Sequence, residues 1–187
     1  KGLLIGGMSK SPILIAPRDR EIQGNGIVRH GVETLRTGWM PDPEATETLA
    51  LRQLIELQQQ HSEKSIRIMN LATSKGLSIL SSSVSKPLAS VCWWHLVTDI
   101  TTLSPTEFGW RISPSLGNAS DRKALIQGIL NKIITAVAVN AVPIDEEDNL
   151  LPPDQRIPGI SGHQLVLPSL WQELVSKAGF SIEQLWQ

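Results

Sequence analysis

Between Asp121 and Ala141 the apolar residues fall at helical spacing: Ile126, Ile129, Leu130, Ile133, Ala136 and Val137 form one stripe. From Ile133 to Val139 nearly every residue is apolar, which puts this stretch near the centre of a domain. Asn118 or Ser120 stands before it as a cap. A helix with so little polar surface needs neighbours that cover it. Leu88 to Leu103 is the natural partner: it contains Val91, Trp93, Trp94, Leu96, Val97 and Ile100, and is bounded by Pro87 and Ser104-Pro105. Its length suits a helix better than a strand.

The remaining segments read in the same way. Asp42 is an N-cap candidate, Pro43 suits a first helical position, and Glu44 and Glu47 lie where the helix dipole favours acids. Ala50, Leu51, Leu54, Ile55 and Gln58 share a face, so a helix is expected to about Gln60, with an extension toward Lys75 stopped by Gly76. Ser169 is placed to cap Leu170 to Lys177, which Gly179 ends, and Ser181 to cap a last turn with Leu185 and Trp186. Ile13 to Ala16, between Pro12 and Pro17, reads as an extended segment, and Gly24-Asn25-Gly26 as a turn. The expected fold is mainly α: a helical domain of about four to six helices with a short extended N-terminal arm. The expected division is an arm over 1–41 and a helical domain over 42–187, interrupted by an acidic, proline-rich loop at 143–162.

Composition narrows the function classes. Of 187 residues, 41% are hydrophobic and 19% charged, which supports a packed core. The net charge of −1 excludes a globally basic nucleic-acid binder. A single cysteine, Cys92, excludes an intrachain disulfide framework and favours an intracellular, cytoplasmic setting, or a viral particle if the source is viral. No apolar run reaches the roughly 18 residues of a membrane span.

Charge is unevenly placed. Residues 1–36 hold Lys1, Lys10, Arg18, Arg20, Arg29 and Arg36 against three acids, whereas residues 141–187 hold seven acids against two basic side chains. This points to a non-enzymatic structural or assembly protein that self-associates, its basic arm meeting the acidic loop of another copy, as in a viral coat or nucleocapsid. The interaction candidates are Asp145, Glu146, Glu147, Asp148, Trp171 and Trp186. The alternative is RNA or DNA binding through Arg18, Arg20, Arg29, Arg36, Arg122 and Lys123, with Trp39 and Trp110 as stacking faces. A further alternative is an enzyme whose site is assembled from distant residues, such as His95, Cys92 and a carboxylate.

Motif chemistry gives little support to catalysis, and no catalytic residue, metal site or cofactor is expected. His30, His61, His95 and His163 are too far apart for a local metal motif. The acids at 145–148 are consecutive and lack the alternation and central glycine of a calcium loop. Gly24-Asn25-Gly26 lacks the third glycine of a dinucleotide fingerprint. Ser83-Val84-Ser85-Lys86 and Ser120-Asp121-Arg122-Lys123 spell a serine–lysine spacing, but the companion elements such enzymes need are absent.

Overall fold

The computed structural model describes residues 11–104, 111–152, 154–159 and 161–186. Lys1, Lys10 and Trp110 lie outside the described residues.

A four-stranded parallel sheet organises the molecule. Its strands are β1 (Ile13–Ile15), β4 (Ile66–Ile68), β5 (Leu88–Cys92) and β6 (Ile134–Ala138), adjacent in that order. Between β1 and β4 the chain forms α1 (Arg20–Gln23), β2 (Val28–Arg29), α2 (Val32–Thr37), β3 (Pro41–Asp42) and α3 (Ala45–Gln60). The short strands β2 and β3 pair with each other, also in parallel. Helix α4 (Ser74–Ser82) links β4 to β5. The link from β5 to β6 carries α5 (Trp94–Val97) and α6 (Ala119–Leu130). After β6 come α7 (Glu146–Asn149), α8 (His163–Leu170), a wide π-type turn over Trp171–Lys177, and α9 (Ile182–Trp186).

This α/β architecture replaces the expected mainly α domain of about four to six helices. The error lies in two apolar runs. Ile134–Ala138 is a strand, and the helix before it stops at Leu130, where Asn131 and a left-handed Lys132 (φ 57°) turn the chain. Leu88–Cys92 is likewise a strand. A strand buried inside a parallel sheet is apolar without clean alternation, so a short run of this kind matches a buried helix equally well. Ile66–Ile68, read as a helix extension, is the third such strand. Helix α3 does end at Gln60, but Asp42 is a buried ion-pair partner and not its cap.

The sheet is covered on one face. Ile15, Ile68, Ala89 and Ile134 lie side by side across the four strands and turn toward the helices. The opposite row, Leu14, Arg67 and Leu88, is exposed, with Leu14 at 58% and Leu88 at 47% of full exposure. Parallel sheets normally bury both faces. The outer edges of β1 and β6 pair with no strand among the described residues. Beside β6, an apolar groove of about 740 Å3 runs between Val137 and the C-terminal segment, lined by Leu170, Leu174, Phe180 and Leu185. Among the described residues, no helix is long and apolar enough to cross a membrane.

Candidate functional site at the strand ends

Because the four strands point the same way, the loops that follow them gather at one end of the sheet, the end at which open parallel α/β sheets bind their ligands. The connecting segments that follow the strands, short helices included, are 16–44, 69–73, the described parts of 93–118 and those of 139–162. The amino termini of α3, α4 and α6 face the same end, and buried acids tie them to the loops.

Glu47 occupies the first turn of α3 and is 1% exposed. Its carboxylate accepts from Ala72 N (2.7 Å), Thr73 N (3.0 Å) and Thr73 Oγ1 (2.5 Å), so it clamps the loop after β4. Burial raises its pKa, against the opposing pull of Thr73 and the arginines. Thr73 in turn caps α4 through Gly76 N. A side chain at Gly76 would collide with Glu47 Oε1, so the clamp requires glycine there. Asp121 links two more elements: it accepts from Ser74 N (2.8 Å) and from Asn118 N (3.1 Å), closing a capping box at the start of α6.

Asp42 lies at the centre of a third cluster. Arg18 Nη1 and Arg29 Nη1 are 3.7 and 3.5 Å from the same oxygen, Asp42 Oδ2. Arg29 Nη1 also donates to Pro43 O at 3.0 Å. Burial, then the adjacent Arg29, lowers the Arg18 pKa. His95 is fully enclosed, and its Nε2 is 3.3 Å from Ser115 O. Burial, reinforced by Arg18 and Arg29, brings its pKa down to about 3, so the ring is neutral. A cleft of about 430 Å3 opens between the starts of α3, α4 and α6 and is lined by Arg29, His30, Pro43, Glu44, Ser74, Asn118 and Asp121.

The residues proposed from sequence are dispersed. Arg18 and Arg29 are turned inward against Asp42, Arg20 is exposed at the start of α1, and Arg36 pairs with Glu33 at 2.7 Å. Arg122 bridges Asp99 and Glu173, each at 3.2 Å, while Lys123 is exposed. Asp145, Glu146 and Glu147 are exposed and Asp148 is half-buried around α7. Trp171 is partly exposed, and Trp186 lines the apolar groove beside β6. Cys92 and His95 are both buried and neither lines the cleft; burial pushes the Cys92 thiol up. Ser83 Oγ donates to Leu80 O and accepts from Lys86 N, and Ser120 Oγ donates to Asn118 Oδ1, so both serine–lysine spacings are helix-end contacts.

Glu47 and Asp121 were missed as site residues, although a signal was present. Glu47 falls in line with Leu51 and Ile55, and Asp121 with Leu125, at spacings of four. An acid on the apolar face of a helix is buried and must find donors.

Imidazoles and carboxylates that converge at one end of a sheet can hold a metal ion. The residues here do not fit one. The strands are followed by Ala16, by Met69-Asn70, by Trp93 and by Val139-Asn140. Asn70 (φ 55°) and Asn140 (φ 46°) are neutral, and Asn70 Oδ1 is buried without a hydrogen-bond partner. Among the described residues, no three His, Cys, Asp or Glu side chains converge as a ligand set.

Comparison with known proteins gives the fold a context. No protein-family model matches the chain. In sequence it is 30% identical over 198 aligned positions to a probable dihydroorotase-like protein of Synechocystis, covering all of this chain and 45% of that protein. It is 25% identical to a dihydroorotase of Carboxydothermus hydrogenoformans, over 92% of this chain and 41% of that one. In structure it resembles the dihydropyrimidinase of Brevibacillus agri (TM-score 0.79, 15% identity) and the L-hydantoinase of Arthrobacter aurescens (TM-score 0.78, 16% identity). Each likeness covers 98% of this chain and 42% of the other. The chain thus spans less than half the length of the relatives it matches. These relatives are enzymes. They overturn the expectation of a non-enzymatic assembly protein, and with it the coat, nucleocapsid and RNA-binding readings built on the basic arm and acidic loop.

Proposed function

We propose that this chain is part of a dihydroorotase-like amidohydrolase, an enzyme that opens a cyclic amide by hydrolysis, and that it supplies one half of the barrel carrying the site. The observation that carries this reading is the sheet itself. Among the described residues, four parallel strands lie in sequence order, bare on one face and open at both edges, and their loops gather at one end. A closed barrel of eight strands removes both open edges and buries the bare row of Leu14, Arg67 and Leu88 in its interior. Relatives of about twice the length have room for the other half.

In the proposed reaction water adds to the ring carbonyl and the ring C–N bond breaks, giving a carboxylate and a ureido N–H. The described residues bind and orient in this scheme; the groups that activate water come from outside them. The test is turnover by the natural polypeptide with L-dihydroorotate, 5,6-dihydrouracil and hydantoin, following the ring-opened ureido acid. Hydrolysis of at least one is expected. A folded protein that opens none of the three overturns the hydrolase reading.

A further inference from the structure

The bare face of the sheet carries a charge that its surroundings leave unmatched. Arg67 is the middle residue of β4 and stands between Leu14 of β1 and Leu88 of β5 in the exposed row. Both neighbours are apolar, and among the described residues no acid lies within ion-pair range of Arg67. Further cations gather at the end of the sheet where the strands begin. Lys64, Lys86 and Lys132 each stand two residues before a strand, β4, β5 and β6 in turn. Lys86 and Lys132 hold the same left-handed backbone (φ 37° and 57°) and are exposed. Glu63 lies beside this rim, 3.9 Å from Lys64 and 3.8 Å from His61.

Closing the barrel takes Arg67 out of water, and a guanidinium removed from water needs an anionic partner. A second copy of this chain does not meet that need. It would bring another Arg67 and another set of these lysines into the same barrel, where like charges repel. Relatives of about twice this length point to a different occupant, the remaining strands of one polypeptide. We propose that these strands form an acid-bearing half, with a carboxylate in the barrel interior that pairs with Arg67. The guanidinium fork offers that carboxylate two parallel N–H bonds. Lys86 and Lys132 favour further acids on the covering half at the rim where the strands begin. The pair also sets how the halves meet. A slip of one residue in the covering strands turns the carboxylate away from the interior, so the pair forms in one register only.

This inference rests on the half-barrel part of the proposed function, and its tests use the natural polypeptide. Leu88→Cys puts a thiol in the same row as Arg67 without touching the charge. Its alkylation by N-ethylmaleimide is expected to be at least about a hundredfold slower in the native protein than in urea, with wild type as the control for Cys92. Rapid native labelling overturns the covered face, and protection that light scattering traces to two 187-residue chains overturns the occupant. Arg67→Leu leaves the acid buried and unpaired, which raises its pKa. The urea midpoint is expected to fall below wild type at pH 7. That deficit should shrink toward about pH 4, because the variant's folded state takes up the proton before its unfolded chain does. His61, Glu63 and the lysines are common to both proteins and cancel in the comparison. Arg67→Lys keeps the charge and should recover most of the midpoint, and Arg67→Gln gives the same pH comparison if Arg67→Leu does not fold. No deficit, or one independent of pH, with Leu88→Cys protected overturns the carboxylate and leaves the closed barrel standing. Ring opening with rapid labelling keeps the hydrolase reading and removes this one; protection without turnover does the reverse.

Discussion

Buried polar side chains order the loops at the strand ends, and each has a measurable signature. His95 is neutral in the fold with a pKa of about 3, against 6.5 for a free imidazole. Above pH 6.5 both folded and unfolded states are neutral at this position, and its contribution to stability is fully present. As the pH falls from about 6.5 toward about 3, only the unfolded state takes up the proton. Stability should then decline by up to about 1.4 kcal/mol per pH unit from this residue. Urea denaturation of wild type and His95→Gln across that range isolates the effect, and parallel pH profiles would contradict it. Glu47→Gln puts an amide N–H₂ against donors that now share a carboxylate, with an expected loss of about 1–3 kcal/mol at pH 7, read from the denaturation midpoint.

Helix starts are the elements that position the cleft. Asn118 accepts from Ser120 N and Asp121 N and thereby begins α6. Asn118→Ala should cost about 1 kcal/mol, seen as a lower melting temperature, because those donors lose their acceptor. Gly76→Ala tests the junction of α3 with the loop after β4. Alanine ordinarily favours a helix interior, by about 1 kcal/mol over glycine. Here its methyl meets Glu47 Oε1 and Thr73 Oγ1, so the substitution should destabilise. A gain in melting temperature would show that the clamp yields. These helix beginnings were partly legible from sequence: Asn118 as a cap and the end of α3 near Gln60 follow from local chemistry. The strands were not, because Ile66–Ile68, Leu88–Cys92 and Ile134–Ala138 are apolar for a reason local spacing does not encode, their position inside a sheet.

For the molecule as a whole, the open sheet makes a prediction of its own. Strand β6 bonds to β5 on one side, so among the described residues its amides that point outward have no strand partner. In hydrogen exchange on the 187-residue chain, alternate amides of β6 should exchange rapidly while those of β4 and β5 are protected. In a longer polypeptide whose strands close the barrel, the same β6 amides should slow; uniform protection in the short chain would contradict the open edge. What the sequence by itself determined here is local: the Asn118 cap, the turn at Gly24-Asn25-Gly26, the end of α3, and the presence of acids on apolar helix faces, because these depend on residues three or four apart; Asp42 and Ser169, also read as caps, are not, Ser169 lying inside the helical run from His163 to Lys177. Only the tertiary structure decided that three apolar runs are parallel strands and that Arg18, Arg29 and Asp42 meet in one buried cluster. It also decided that Glu47 fastens a loop 25 residues away. Those outcomes depend on partners distant in the chain, which the spacing of neighbours does not specify.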